Sequence, residues 1–260
     1  MSTQEQQNAS LIERLFKAGA HFGFTKSRRH PTVTPYIFTN KQGTDIFDLE
    51  KTAALLEDAK ATLKEAGEKG QTVLFVGTKP EVSKTVLQFA LQAEMPFVVN
   101  RWIGGMLTNF SEIRKRIERL KSLVAERESG ELERKYIKKE RVVIGREVDK
   151  LEFNFAGIQK MDRAPHILLV VDPRHDFIAV QEASDIKIPV IAIMSSDCNV
   201  SLITKPVVIN DALNASVTLA LSELTGAYLE GRKNFTPAVP VRATARPDAR
   251  PRVQTPTVRR

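Results

Sequence analysis

Short apolar runs that alternate with helical stretches constrain this chain more than any other feature. Thr72 to Val76, Ile167 to Val171 and Val190 to Met194 are continuous apolar segments bounded by polar residues, the pattern of strands buried on both faces of a parallel sheet. Phe97 to Asn100 and Val207 to Ile209 read as shorter strands. Between them, Glu50 to Glu68, Lys79 to Ala93, Phe177 to Ile186 and Asp211 to Glu230 carry helix-forming residues or helical apolar spacing, and Gly70 stops the first of these. The expected fold class is α/β: a parallel sheet flanked by helices, Rossmann- or flavodoxin-like, with right-handed crossovers.

The rhythm breaks between Asn109 and Gln159. No strand pattern is present there and the charge is dense and mixed, yet apolar residues recur in steps of three and four at Ile113, Ile117, Leu120 and Val124, then at Ile144, Val148, Leu151, Phe155 and Ile158. Ser129-Gly130 separates the two series, which predicts two antiparallel helices meeting along a narrow seam and projecting from the sheet as a coiled-coil hairpin. Its charges fit either a solvated face or a surface for a partner.

Four segments follow. Residues 1–9 form a polar leader expected to be disordered, 10–108 with 160–231 the α/β domain, 109–159 the helical hairpin, and 232–260 a disordered basic tail. Ser10 with Glu13 reads as a capping box opening a short helix that Gly19 ends. His21 to Asn40, with Lys26, Arg28 and Arg29, reads as an irregular segment ending in strand, followed by a strand from Thr44 to Leu49.

Charge placement narrows the functional classes. The formal net charge is +8, and from Arg232 onward eight basic side chains face Asp248 alone, so +7 of that total lies in the tail. Five prolines there (Pro237, Pro240, Pro247, Pro251, Pro256) leave nothing to bury. A basic arm on a near-neutral body suits a protein that docks by shape and lays its arm on phosphates. The single cysteine, Cys198, forms no internal disulfide, and neither a secretory leader nor a long apolar run is seen, so a cytosolic protein is expected.

Tests for catalysis find little. Gly77-Thr78-Lys79 follows a strand and precedes a helix, but Lys79 is followed by Pro80 and the earlier glycine of a P-loop is absent. The histidines His21, His30, His166 and His175 lack metal-ligand spacing with one another or with Cys198, although a metal site assembled from distant residues stays open. Asp172-Pro173-Arg174 stands at the carboxyl end of a strand, where open sheets bind ligands, and also reads as a strand-ending turn. The only tryptophan, Trp102, follows Arg101 and precedes Gly104-Gly105. It can stack on a base or pack over the root of the hairpin, while Arg101 is placed to reach phosphate. No cofactor is expected. A nucleotide- or sugar-phosphate-binding enzyme on the same fold and a general nucleic-acid chaperone are the alternatives to a structural RNA-binding protein.

Several stretches resemble the bacterial small-subunit ribosomal protein S-two family. They are His21-Phe22-Gly23, Arg28-Arg29, Pro35-Tyr36-Ile37-Phe38, Asp48-Leu49-Glu50-Lys51-Thr52, Leu74 to Lys79, and the ungapped Arg101 to Phe110. Beyond the hairpin, Gly157-Ile158, Ala164-Pro165, Val171-Asp172, His175 to Ala179, Ile188-Pro189-Val190 and Asn210-Asp211-Ala212 continue the likeness, which spans about residues 10 to 230. The resemblance implies a non-enzymatic constituent of the small ribosomal subunit. It implies binding of small-subunit ribosomal RNA where head meets body, late assembly, and contact with neighbouring ribosomal proteins including the messenger-binding protein S-one. By positional match, His21, Lys26, Arg28, Arg29, Arg101, Trp102 and Asn109 inherit an expectation of lying at or near RNA. Charge adds Arg114 on the hairpin and Arg242, Arg246, Arg250 and Arg252 in the tail. There are departures: Phe24 stands where the family usually has a second histidine, His30 where it has tryptophan, and Ser195-Ser196-Asp197 where it has Asp-Thr-Asn. A glycine common before Asn-Asp is replaced by Ile209, and the tail has no clear counterpart.

Overall fold

The computed structural model describes residues 11–235. The leader, the Ser10 cap and residues 236–260 of the tail, with Arg242, Arg246, Arg250 and Arg252, lie outside the described residues. The start of the expected disordered tail is instead ordered: Arg232 and Lys233 close the last helix, where Arg232 donates to the Ala93 carbonyl at 3.0 Å and pairs with Glu94 at 2.8 Å. No helix within the described residues is long and apolar enough to cross a membrane.

Residues 11–17 form α1, which ends at Gly19 in the left-handed region. Three strands follow: β1 (Phe22–Thr25), β2 (Ile37–Lys41) and β3 (Thr44–Phe47). They form a small antiparallel sheet in the order β1-β3-β2, separate from the parallel sheet. Strands β2 and β3 fall where the sequence puts them, whereas β1 and the pairing of the three into a sheet of their own were not expected. β1 falls in a stretch read as irregular, because four residues ending at Thr25 are too few for a period to register.

The main sheet has five parallel strands: β4 (Val73–Val76), β5 (Phe97–Val98), β6 (Ile167–Val171), β7 (Val190–Met194) and β8 (Lys205–Val208). Their order is β5-β4-β6-β7-β8, so the chain reverses direction between β4 and β6. Taken in chain order this is the 2-1-3-4-5 arrangement of the flavodoxin-like class.

The central strands alternate strictly. Val73, Phe75, Leu169, Val171, Ile191 and Ile193 face one layer, made by α2 (Leu49–Glu68), α3 (Pro80–Ala93) and α8 (Asn214–Lys233). Leu74, Val76, Leu168, Val170 and Ala192 face the other, made by α7 (Phe177–Asp185) and the root of the 109–159 insertion. Every strand residue of β4, β6 and β7 is buried, which accounts for their uninterrupted apolar character.

On the first face α2 and α8 cross in close contact at glycines. A Cβ on Gly67 would lie 2.3 Å from the Tyr228 carbonyl oxygen, and one on Gly231 would lie 2.0 Å from the Lys64 carbonyl oxygen. Both would strike backbone, which a side-chain rotation cannot relieve. Two glycines inside helices cost helix propensity; the packing they allow outweighs that loss.

The insertion holds three helices rather than two: α4 (Phe110–Glu128), a short α5 (Glu131–Lys135) and α6 (Lys138–Phe155). Gly130 turns the chain with φ near +74°. Helix α5 ends because Tyr136 and Ile137 are extended, and α6 restarts where the Glu140 carboxylate accepts the Ile137 N–H at 3.1 Å. Ile113, Ile117, Phe155 and Ile158 belong to the sheet's second core. Leu120, Leu123, Leu132, Ile144 and Val148 form a core of their own farther along. Leu123 is fully buried and Val124 only partly, a shift of one residue from the seam expected.

Replacing Gly231 by alanine separates propensity from packing. Propensity alone predicts a gain of up to about 1 kcal/mol. The crossing predicts a loss of roughly 1–3 kcal/mol in urea-monitored unfolding.

Candidate nucleic-acid interface

The ungapped stretch after β5 forms a loop wrapped around one carboxylate. Glu182 lies on the buried stripe of α7 with Ala179, Val180 and Ala183. Its Oε1 accepts the Trp102 indole N–H at 3.1 Å and the Gly105 N–H at 2.8 Å. Its Oε2 accepts the Leu107 N–H at 2.9 Å and, at 3.2 Å each, the Thr108 N–H and hydroxyl. Burial pushes the Glu182 carboxyl up, but the bonds from Leu107, Trp102, Gly105 and Thr108 override it and hold the group below its usual range. Gly105, with φ near +86°, makes the turn that points successive amides at the same group.

This arrangement decides between the two uses open for Trp102. The ring is buried in the second core and its N–H is committed to Glu182, so it packs over the root of the insertion. Arg101 beside it is exposed, with no acidic partner among the described residues. Asn109 is exposed at the start of α4, where its side-chain oxygen accepts the Ser111 hydroxyl at 3.3 Å. Arg114, one turn into α4, is exposed, pairs with Glu118 at 3.2 Å and reaches the Asp162 carbonyl at 3.5 Å.

The segment from His21 to His30 joins the same end of the sheet. The Ser196 hydroxyl accepts the Phe24 N–H at 2.9 Å, the Ser196 carbonyl accepts the His30 N–H at 2.8 Å, and Thr32 takes the Val200 N–H at 3.0 Å. Lys26 and Arg28 are exposed, with the Arg28 guanidinium over the Phe24 ring. Arg28 and Arg174 flank Asp197, at 3.8 Å and 2.7 Å.

Arg29 points inward. Its Nε donates to the buried Asp45 at 2.7 Å, and Asp45 also accepts from Asn40 at 2.7 Å. The guanidinium beside it holds the Asp45 carboxyl below the usual range. Arg29 thus neutralises an internal charge and is mostly covered. His21 stacks on Phe16 with centroids 4.5 Å apart and lies 4.0 Å from the Phe22 ring; partial burial lowers its pKa.

Nucleotide-loop and thiol chemistry are disfavoured by the same geometry. The Thr78 N–H and hydroxyl, which a phosphate would need, are taken by Asp176 at 3.1 Å and 2.7 Å, and Lys79 pairs with Asp172 at 3.1 Å. Burial pushes the Cys198 thiol far up, so it stays protonated. Among the described residues no group of three or more His, Cys, Asp and Glu side chains is arranged to hold a metal ion.

Glu182 was missed in the sequence, though an acidic residue among Ala179, Val180 and Ala183 on one helical face was the available signal. Asp211 was also missed. It is buried with both carboxylate oxygens unpartnered; burial and the nearby Asp172 raise its pKa to about 7, against the opposing pull of Lys79. A raised folded-state pKa favours folding below the unfolded value, and that favour is lost as pH rises towards 7. Asp211→Asn should therefore raise the unfolding free energy at pH 8 by roughly 2–4 kcal/mol and leave it little changed at pH 4, read by urea unfolding at both values.

A model of the family described as Ribosomal protein S2 matches residues 15–231. The small ribosomal subunit protein uS2 of Coprothermobacter proteolyticus is 40% identical over 222 residues, covering 85% of this chain and 82% of that protein. That of Microcystis aeruginosa is 40% identical over 230 residues, covering 88% and 86%. The small ribosomal subunit protein uS2c of Gracilaria tenuistipitata var. liui is 37% identical over 220 residues, covering 85% and 95%. A match across nearly all of the described fold, joined to identities of this order, places the chain in the ribosomal protein S2 family.

Proposed function

We propose that this chain is a structural, non-enzymatic constituent of the small ribosomal subunit. In this reading it is cytoplasmic and ribosome-bound, binds small-subunit ribosomal RNA where head meets body, supports late assembly, and contributes to docking the messenger-binding protein S-one beside neighbouring ribosomal proteins. Membership of the family carries the ribosomal assignment. The single structural observation that supports an RNA-facing surface is the clustering of exposed cations at the carboxyl ends of the parallel strands. Arg101 stands after β5, Arg28 and Arg174 flank Asp197 in the loop after β7, and Lys26 is exposed two residues before Arg28.

In this reading the side chains divide their roles. Arg101, Lys26, Arg28 and Arg114 reach phosphate. Asn109 at the start of α4 and His21 near β1 belong to the same interface, while Trp102 and Arg29 act indirectly by holding the loops that present the cations. The residues form a body of 10–108 with 160–231 and a spur of 109–159 that projects as a coiled-coil hairpin, and the Arg- and Pro-rich part of the tail beyond Phe235 adds non-specific phosphate contacts. Ion pairs on the spur such as Arg119–Glu147 at 3.5 Å are exposed and contribute little to stability, which leaves their charges available to a partner.

Sedimentation of a lysate in moderate salt tests the assignment: near-stoichiometric co-migration with the small subunit is expected, and its absence overturns the reading. For purified protein binding ribosomal RNA, Arg101→Ala should weaken affinity severalfold and reduce the salt slope by about one, as expected for one lost phosphate contact.

A further inference from the structure

We propose that a cleft at the reversal point of the sheet takes an unpaired nucleotide of RNA, its base against Phe153 and its phosphate at Arg101. The inference rests on the RNA-binding reading above and adds the kind of RNA and the place it enters. The strand order reverses between β4 and β6, and open α/β sheets offer a crevice at the carboxyl ends of such a pair. Here a cleft of about 360 Å³ opens there, lined among others by Thr78, Asn100, Arg101, Phe153, His175 and Ile178.

The cleft's chemistry favours a base at its wall and an anion at its rim. Phe153 and Ile178 are each 56% exposed, a large apolar surface to leave to water beside an unpartnered guanidinium. Asn100 donates to the Phe153 carbonyl at 2.7 Å, tying the end of α6 to the Arg101 loop, so ring and cation are held by one connection. The acidic group present, Asp176, has both oxygens turned onto Thr78. That bond closes the floor to a phosphate and leaves the rim to Arg101. Aromatic rings accept any base, whereas a paired base must first give up its partner and its stack, at a cost in free energy, to reach one. An apolar side chain alone could fill the wall but would leave Arg101 without an anion, which a nucleotide supplies together with its base.

The test uses the full chain with two probes: a single-stranded RNA oligonucleotide carrying one 2-aminopurine, and a fully paired RNA duplex of the same length. Wild type should quench the fluorophore. Phe153→Ala should weaken single-strand binding about tenfold and abolish quenching while duplex affinity is unchanged, and Phe153→Tyr should restore both. Phe153 is exposed, so an unchanged melting temperature is expected for each variant. Unaltered single-strand binding and quenching in Phe153→Ala overturns the proposal while leaving duplex binding, and so the broader reading, in place. Unaltered binding of both RNAs with weakened association to small subunits stripped of this protein would mean that the cleft holds protein, and also overturns it. Failure of wild type to bind either RNA removes the underlying reading as well.

Discussion

The buried carboxylate of Glu182 gathers five donors from the loop between β5 and α4, and the position of the whole insertion follows from that contact. Hydrogen bonds to a charged group contribute about 1.5–3 kcal/mol each where they are well made, and losing one side of such a set leaves buried groups unpaired. Trp102, Met106 and Leu107 of this loop are buried, so the Trp102 indole and Leu107 backbone N–H groups have Glu182 as their acceptor where water is excluded. The same contact fixes the start of α4 on one side and the exposure of Arg101 on the other, so it links the packing of the sheet to the surface that faces a partner.

Two further constraints keep that surface in one piece. The glycine crossing of α2 and α8 seals the opposite face and leaves the carboxyl ends of the strands as the edge where loops collect. Hydrogen bonds from Phe24 and His30 to Ser196 then fasten the small antiparallel sheet to the loop after β7. Lys26 and Arg28 are brought by this route to the same end as Arg101, though they are distant in the chain.

Much of the fold was legible because burial on both faces leaves a periodic or continuous trace: β4, β6 and β7 and their helices fall within a few residues of where apolar pattern puts them. What escaped was either short or long-range. β1 is too short for a period, and the break before α6 depends on one carboxylate reaching back to Ile137. Of the residues expected at RNA, Arg101, Lys26, Arg28, Asn109 and Arg114 are exposed, and Arg29 and Trp102 face inward. Composition cannot separate these groups. An arginine bound to Asp45 and one open to solvent look alike until the partner, sixteen positions on, is placed.

Amide hydrogen exchange of Glu182→Gln, compared with wild type, tests the central role of this carboxylate most directly. A neutral amide keeps the shape but gives up one acceptor and the charge. Exchange at Gly105, Leu107 and Thr108 should accelerate by roughly tenfold or more, while Leu168 and Val170 in the middle of the sheet stay protected. Unchanged protection at those three amides would contradict the account, as would loss of protection spread evenly through the sheet.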